Sequence, residues 1–245
     1  MTEYLDTPLG RRIAYDLTPG TGPGVVFLGG FKSDKEGSKA LYLEDWAKAS
    51  GRAFLRFDYS GHGQSSGVFE EGAIGDWAED AEAAIHALTN GPQVLVGSSM
   101  GGWISALIAR KKPDNVAAFI GIAAAPDFTE DGFWADFSGS ERAQLRDVGY
   151  VDVPSDYGEP YRITQRLIED GRDHLVMRTP LEMPFPVRLL QGTADTAVTR
   201  DTALAFFDHI ESPDSRLSFV AGADHRFSDA ACLKLITDTI EALEL

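Results

Sequence analysis

The chain has 245 residues, 38 acidic against 22 basic side chains and a formal net charge of −16, with 43% of its residues hydrophobic. A surface of that charge repels phosphate backbones and anionic lipid, which argues against a nucleic-acid partner. The apolar fraction is too high for a disordered chain and is enough to build a full core.

In chain order, Tyr4 to Asp6 and Arg12 to Leu17 read as two short strands joined by a turn at Thr7-Pro8-Leu9-Gly10. With no helix between them, they are expected to pair antiparallel at one edge of a sheet. Thr18 to Gly24 is a loop rich in Gly, Pro and Thr, and Val25-Val26-Phe27-Leu28 is a buried strand ended by Gly29-Gly30. Lys39 to Ser50 carries apolar Leu41, Leu43, Trp46, Ala47 and Ala49, the pattern of an amphipathic helix closed by Gly51. Ala53 to Tyr59 is the next strand, and Asp76 to Leu88 is a helix with Trp77, Ala81, Ala84, Ile85 and Leu88 inward. Val94 to Val96 and Val116 to Ile122 are strands, with a helix through Trp103 to Arg110 between them. Val187 to Leu190 and Leu217 to Val220 complete the strands, and Asp201 to His209 and Ala230 to Leu243 are the last helices.

Strand and helix alternate, which predicts an α/β fold: a mostly parallel, eight-stranded sheet with helices on both faces. Residues 127–186 break the rhythm with aromatic residues, prolines and polar helical stretches such as Tyr161 to Asp170. They are expected to form a small helical lid insertion over the strand ends, with 1–126 and 187–245 as the core. No run of about 18 uninterrupted apolar residues forms a membrane span. The opening Met1 to Asp6 lacks the basic-then-apolar pattern of a signal peptide. Cys232 is the single cysteine, so no intrachain disulfide is expected, and the default expectation is a cytoplasmic protein.

The apolar run Gln93 to Val96 ends in Gly97-Ser98-Ser99-Met100-Gly101, a G-x-S-x-G pentapeptide between a strand and a helix. A nucleophilic serine needs a sharp strand-to-helix turn with small neighbours, and Gly97, Ser98 and Gly101 supply them. Ser99 then stands at a helix N-terminus, whose dipole favours developing negative charge.

A serine hydroxyl needs a base, and the base needs a carboxylate to orient it. Of the five histidines, His225 follows the last strand in the small-residue loop Ala221-Gly222-Ala223-Asp224-His225, where the order Ser, acid, His places the base. His62 precedes the serine, His86 lies in a helix, His174 in the expected lid and His209 near a helix end. The strand Val187 to Leu190 leads into Gln191-Gly192-Thr193-Ala194-Asp195, which makes Asp195 the expected acid. Asp224, Asp201 and Asp127 compete; Asp224 is set back because adjacent strand-end residues point apart, and Asp201 reads as a helix cap. The oxyanion needs two amides, expected from Met100 after the nucleophile and from Phe31 in the turn Gly29-Gly30-Phe31-Lys32.

Asp58-Tyr59-Ser60-Gly61-His62-Gly63-Gln64-Ser65 is a further glycine-rich turn, in which His62 is suited to bonding the backbone of neighbouring loops. Its glycines lack the phosphate-loop pattern, and no His-Glu-x-x-His or paired-cysteine metal signature occurs, so no cofactor is implied.

With these residues in that order, the chain resembles the α/β-hydrolase superfamily over nearly its whole length. Asp58 to Ser65 resembles the Asp-x-x-Gly-His-Gly-x-Ser signature of its esterase, lipase and aminopeptidase branches. Gly29 to Asp34 with Gly37 to Ala40, Arg56 to Gly61, and Leu95 to Trp103 together resemble the palmitoyl-protein thioesterase and acyl-glucuronide esterase group. That resemblance implies hydrolysis of a small-molecule acyl ester or thioester, with no particular oligomeric state, and is nearest to the bacterial relatives of the group. Aromatic Phe128, Phe133, Trp134 and Phe137 are candidates for the acyl site or for the lid core. Two rivals remain. An aminopeptidase-type peptidase or amidase would use carboxylates such as Glu130, Asp131 and Asp136 to hold a substrate amine. A non-catalytic binding protein on the same fold would have no need of all three triad groups. A dehalogenase or epoxide hydrolase is disfavoured, since it needs an aspartate where Ser99 stands.

Overall fold

The computed structural model describes residues 2–155 and 158–245. It begins with β1 (Glu3–Asp6) and β2 (Arg12–Thr18), then β3 (Thr21–Leu28), α1 (Ser38–Ser50), β4 (Arg52–Phe57) and α2 (Ile74–Leu88). β5 (Gln93–Ser98), α3 (Met100–Lys111) and β6 (Val116–Ile122) follow. Next come a π-helical turn at Phe128–Trp134, α4 (Gly139–Val148), β7 (Tyr150–Val153), β8 (Tyr161–Thr164), α5 (Gln165–Asp173) and the short β9 (Leu181–Glu182). The chain closes with β10 (Val187–Gly192), α6 (Arg200–His209), β11 (Ile210–Glu211), β12 (Ser215–Val220) and α7 (Ala230–Glu241).

The main sheet has eight strands in the order β1-β2-β4-β3-β5-β6-β10-β12. Six of them run parallel from β4 to β12, while β2 pairs antiparallel with both β1 and β4. The antiparallel edge expected of two strands without a helix between them is therefore present. β3 lies between β4 and β5, so the chain leaves it in opposite directions, and the crevice at the ends of β3 and β5 is the switch point where such sheets hold ligands.

Side-chain alternation divides the core into two layers. Val25, Phe27, Val94 and Val96 face α1 and α7 with Ala40, Leu43, Ala47, Ile236 and Ile240. Val26, Leu28 and Leu95 face the opposite way, against Trp77 and Ala81 of α2 and Trp103 and Ile104 of α3. Helices thus cover both faces.

The segment between β6 and β10 is mixed rather than wholly helical. Tyr161 to Asp170, expected as one helical stretch, starts as β8 and becomes α5 only at Gln165. The reason is pairing: β8 lies antiparallel to β7, and Tyr161, Ile163 and Thr164 tolerate the extended backbone that this requires. Across that pair Arg162 binds Asp152 at 2.9 and 3.0 Å and lies over the Tyr150 ring. α5 is fixed to α2, where Asp170 accepts the Gly75 amide at 2.8 Å and Arg166 meets Asp76 at 2.6 Å. The segment folds back on its start at Asp127, whose buried carboxylate accepts the amides of Val176 at 2.8 Å and Met177 at 2.9 Å.

Candidate active site

Ser99 stands in the turn between β5 and α3 with φ 53 and ψ −117, a conformation side-chain-bearing residues rarely adopt. The strain is held by bonds around it: its amide donates to the Ile122 carbonyl at 2.9 Å, and its carbonyl accepts the amides of Gly102 at 2.9 Å and Ala125 at 3.1 Å. The glycines of the pentapeptide are required by close approach. A Cβ on Gly97 would collide with the Gly101 carbonyl, and one on Gly101 with the Leu28 carbonyl.

His225 comes from the loop after β12 and Asp195 from the loop after β10, neighbours in the sheet. The two loops are joined by backbone bonds: Thr193 donates to the Val220 carbonyl at 2.9 Å and Ala194 to the Ala223 carbonyl at 2.9 Å. Phe227, fully buried beyond the histidine, anchors the second loop. Ser99 Oγ then lies 3.2 Å from His225 Nε2, and His225 Nδ1 lies 2.9 Å from Asp195 Oδ2. The Asp195 side chain is 0% exposed and that of His225 20% exposed, so the acid is shielded while the imidazole edge reaches the cavity.

Burial alone would raise the Asp195 carboxyl. The bond from His225, the Val198 amide, the charge of His225 and the Gln191 amide outweigh it and hold the group below the ordinary carboxylate range. Asp195 Oδ1 accepts from Ala197 at 2.9 Å and Val198 at 2.8 Å, and Gln191 Nε2 donates to Oδ2 at 2.9 Å. The sequence reading passed over Gln191. Its one signal is a polar side chain directly after the apolar pair Leu189-Leu190 at the end of the strand, where it is 1% exposed.

The competing acids are elsewhere. Asp224 is exposed and accepts the Phe227 amide at 3.2 Å. Asp201 lies in the first turn of α6, which is capped instead by Thr199, and Asp127 holds the Val176 and Met177 amides as described above. Among the other histidines, His86 is exposed in α2, His174 Nδ1 lies 2.8 Å from the Asp170 carbonyl, and His209 Nε2 lies 2.7 Å from the Thr179 carbonyl. His62 is buried, with Nε2 3.3 Å from the Lys32 amide.

Gly30 brings the turn after β3 to within 3.4 Å of the Ser98 carbonyl and Ser99 Cβ, measured from an ideal Cβ on the glycine. The turn is closed by Ser33 donating to the Gly30 carbonyl at 3.1 Å. Among the described residues, neither the Phe31 nor the Met100 amide is drawn into a loop or capping bond.

Ser99 and His225 open on a cavity of about 940 Å³. Phe31, Phe128, Phe133 and Tyr161 form its apolar wall, with Phe31 ring centroids 5.6 Å from Phe128 and 5.5 Å from Tyr161. Lys32, Lys39 and Arg226 also line it, as do Asp136 and Glu159. Burial pushes the Lys39 ammonium down to about 8 despite the Asp224 carboxylate nearby. Trp134 is instead covered by Arg142 and Arg172, and Phe137 is buried in the core layer. Glu130 and Asp131 are engaged by Arg172 at 2.6 Å and Arg178 at 2.9 Å, which leaves Asp136 as the cavity member of that acidic trio. Among the described residues no three His, Cys, Asp or Glu side chains are grouped to hold a metal, and no helix is long and apolar enough to cross a membrane.

Residues 25–169 match the alpha/beta hydrolase fold family. The chain is 35% identical, over 98% of its length and 79% of the relative, to the mitochondrial palmitoyl-protein thioesterase ABHD10 of Bos taurus. It is 34% identical to that of Homo sapiens, with the same coverage. Among solved structures it is similar to a putative hydrolase from Agrobacterium vitis S4, at 37% identity and TM-score 0.94, covering 99% of this chain and 98% of that one. It is also similar to alpha/beta hydrolase domain-containing protein 10 from mouse, at 33% identity and TM-score 0.92, covering 98% and 97%. The relatives named as mitochondrial lend the cytoplasmic expectation no support.

Proposed function

Because the chain belongs to the alpha/beta hydrolase fold family and is a hydrolase, we propose that it cleaves carboxylic ester or thioester bonds of small acyl substrates through a Ser99–His225–Asp195 triad and an acyl-enzyme. The observation that carries the reading is the unbroken hydrogen-bonded line from Ser99 Oγ through His225 to Asp195 at the mouth of the cavity. The thioesterase names of the relatives support the thioester half of it.

In this reading His225 Nε2 takes the Ser99 proton as Oγ attacks the acyl carbonyl. The tetrahedral oxyanion is held by the Phe31 and Met100 amides, each worth about 3 kcal/mol in comparable sites. His225 then protonates the leaving thiol or alcohol, and water repeats the sequence in reverse on the acyl-enzyme. Asp195 keeps the proton on Nδ1 and stabilises the imidazolium, and Gln191 with the Ala197 and Val198 amides keeps Asp195 ionised and aimed. The ring wall of Phe31, Phe128, Phe133 and Tyr161 takes the acyl group, and residues 127–186 serve as the lid that excludes water from it.

The test is turnover of matched p-nitrophenyl esters and acyl thioesters of rising chain length by wild type and Ser99→Ala. A single optimum chain length that vanishes with the hydroxyl supports the reading. Undiminished turnover in Ser99→Ala sinks it.

A further inference from the structure

We infer that His62 is a positioning residue for the oxyanion turn: its ring holds the Lys32 amide, and through that amide it fixes the adjoining Phe31 peptide against Ser99. The inference rests on the proposed role of the Phe31 amide.

The chemistry of the ring is specified on both sides. Nε2 lies 3.3 Å from the Lys32 amide, which has only a proton to offer, so Nε2 must present its lone pair. Nδ1 lies 3.1 Å from the Ser60 carbonyl, which has only lone pairs to offer, so Nδ1 must carry the proton. One neutral tautomer satisfies both bonds, and the imidazolium satisfies only the second. Burial pushes the ring down to about 4 against the pull of the Ser60 carbonyl, so the neutral form persists over the ordinary working range.

The ring is itself held. Tyr59, Phe69 and Trp77 meet it edge to face, with centroids 5.5, 5.0 and 5.1 Å away. The Ser60 carbonyl also accepts Trp77 Nε1 at 3.0 Å, and Asp80 takes the Ser60 amide at 2.9 Å and hydroxyl at 2.6 Å. Asp80 in turn is paired with Arg11 at 2.6 Å. A rigid polar chain therefore runs from α2 through Ser60 and His62 to the turn after β3.

The held residue is one that needs holding. Lys32 sits at φ 56, where a lysine is strained, and the turn it belongs to packs on Ser98 and Ser99. Release of the Lys32 amide lets that residue relax toward negative φ and rotates the Phe31 peptide away from the nucleophile. Phe128, Phe133 and Tyr161 of the ring wall do not depend on that amide and keep most of the ground-state binding, while the developing oxyanion loses a donor.

The experiment compares wild type, His62→Phe and His62→Gln. Phenylalanine keeps a ring among Tyr59, Phe69 and Trp77 but offers no acceptor, whereas glutamine restores one. Readouts are kcat and KM on a p-nitrophenyl ester, and inhibition by a trifluoromethyl ketone of the same acyl group, whose adduct with Ser99 carries the oxyanion. Expected is a kcat lower by about 10²-fold in His62→Phe with KM little changed, and ketone affinity weakened in parallel. His62→Gln is expected within about tenfold of wild type. Equal losses in both variants, a loss confined to KM, or wild-type kcat in His62→Phe overturns the inference. Should His62→Phe fail to fold, the ring nitrogen shifts of wild type decide: protonated Nδ1 with unprotonated Nε2 is expected, and the opposite tautomer overturns it. Ser99→Ala runs alongside: turnover surviving in that variant removes the acyl-enzyme reading itself, while an inactive Ser99→Ala beside an unimpaired His62→Phe removes only the role given to His62.

Discussion

The Ala223 carbonyl lies against the α-carbon of Gly192 so closely that no Cβ fits between them, and the same carbonyl accepts the Ala194 amide at 2.9 Å. This contact joins the loop that carries Asp195 to the loop that carries His225. Gly192→Ala must push the loops apart, so kcat is expected to fall by about 10²-fold, the cost of a misplacement near 1 Å, with the fold retained. Steady-state kinetics and a circular dichroism melt check it together; unchanged kcat refutes the coupling.

The backbone at Ser99 stores strain, since φ 53 with ψ −117 suits glycine far better than serine. Ser99→Gly is expected to abolish turnover and to raise stability by on the order of 1–2 kcal/mol, seen as a higher melting temperature. A variant less stable than wild type contradicts the strain argument.

Asp195→Asn keeps the shape of the acid but lets the amide present its NH2 toward His225, which favours the wrong tautomer. A fall in kcat of about 10⁴-fold with little change in KM is expected. A fall of only a few-fold places the orienting acid elsewhere.

Asp127 ties the stretch after α5 back to the start of the 127–186 segment by accepting two amides. Asp127→Ala leaves the buried Val176 amide and the half-buried Met177 amide without acceptors and is expected to cost about 2–3 kcal/mol in urea unfolding. Asp127→Asn retains one acceptor oxygen and should cost less. Equal costs for the two variants argue against the double bond as the source of stability.

Folded His62 is protonated only near pH 4, against 6.5 for the free side chain, because burial outweighs the Ser60 carbonyl. The unfolded chain therefore binds the extra proton between those values, and stability is lost as pH falls through that window. The full contribution is about 3 kcal/mol. His62→Phe is expected to flatten the stability curve between pH 6.5 and 4; a curve parallel to wild type rules it out.

Ser99, Asp195 and His225, singled out in the sequence, lie within hydrogen-bonding reach of one another, and each is announced by local signals: a strand, then glycine or small residues, then the polar group. The sheet's antiparallel edge was legible for a similar reason, the missing helix between β1 and β2. Other features depend on contacts distant in sequence. Tyr161 to Thr164 becomes a strand because β7 lies beside it, and a ten-residue polar window carries no trace of that partner. Trp134 and Phe137 read like Phe128 and Phe133, yet only the latter two reach the cavity, since Arg142 and Arg172 cover the first and the core layer takes the second. Gln191 has meaning only once Asp195 folds back over it.

β12 is an edge strand, paired on one side alone, with much of its surface open to solvent. The nucleophile sits at the protected centre of the sheet, while the base hangs from its rim. Edge strands detach with less free energy than the whole domain needs to unfold. Inactivation by mild heat or urea is therefore expected to precede the loss of secondary structure and to be reversed on cooling or dilution, because the rim that carries His225 loosens before the centre of the sheet.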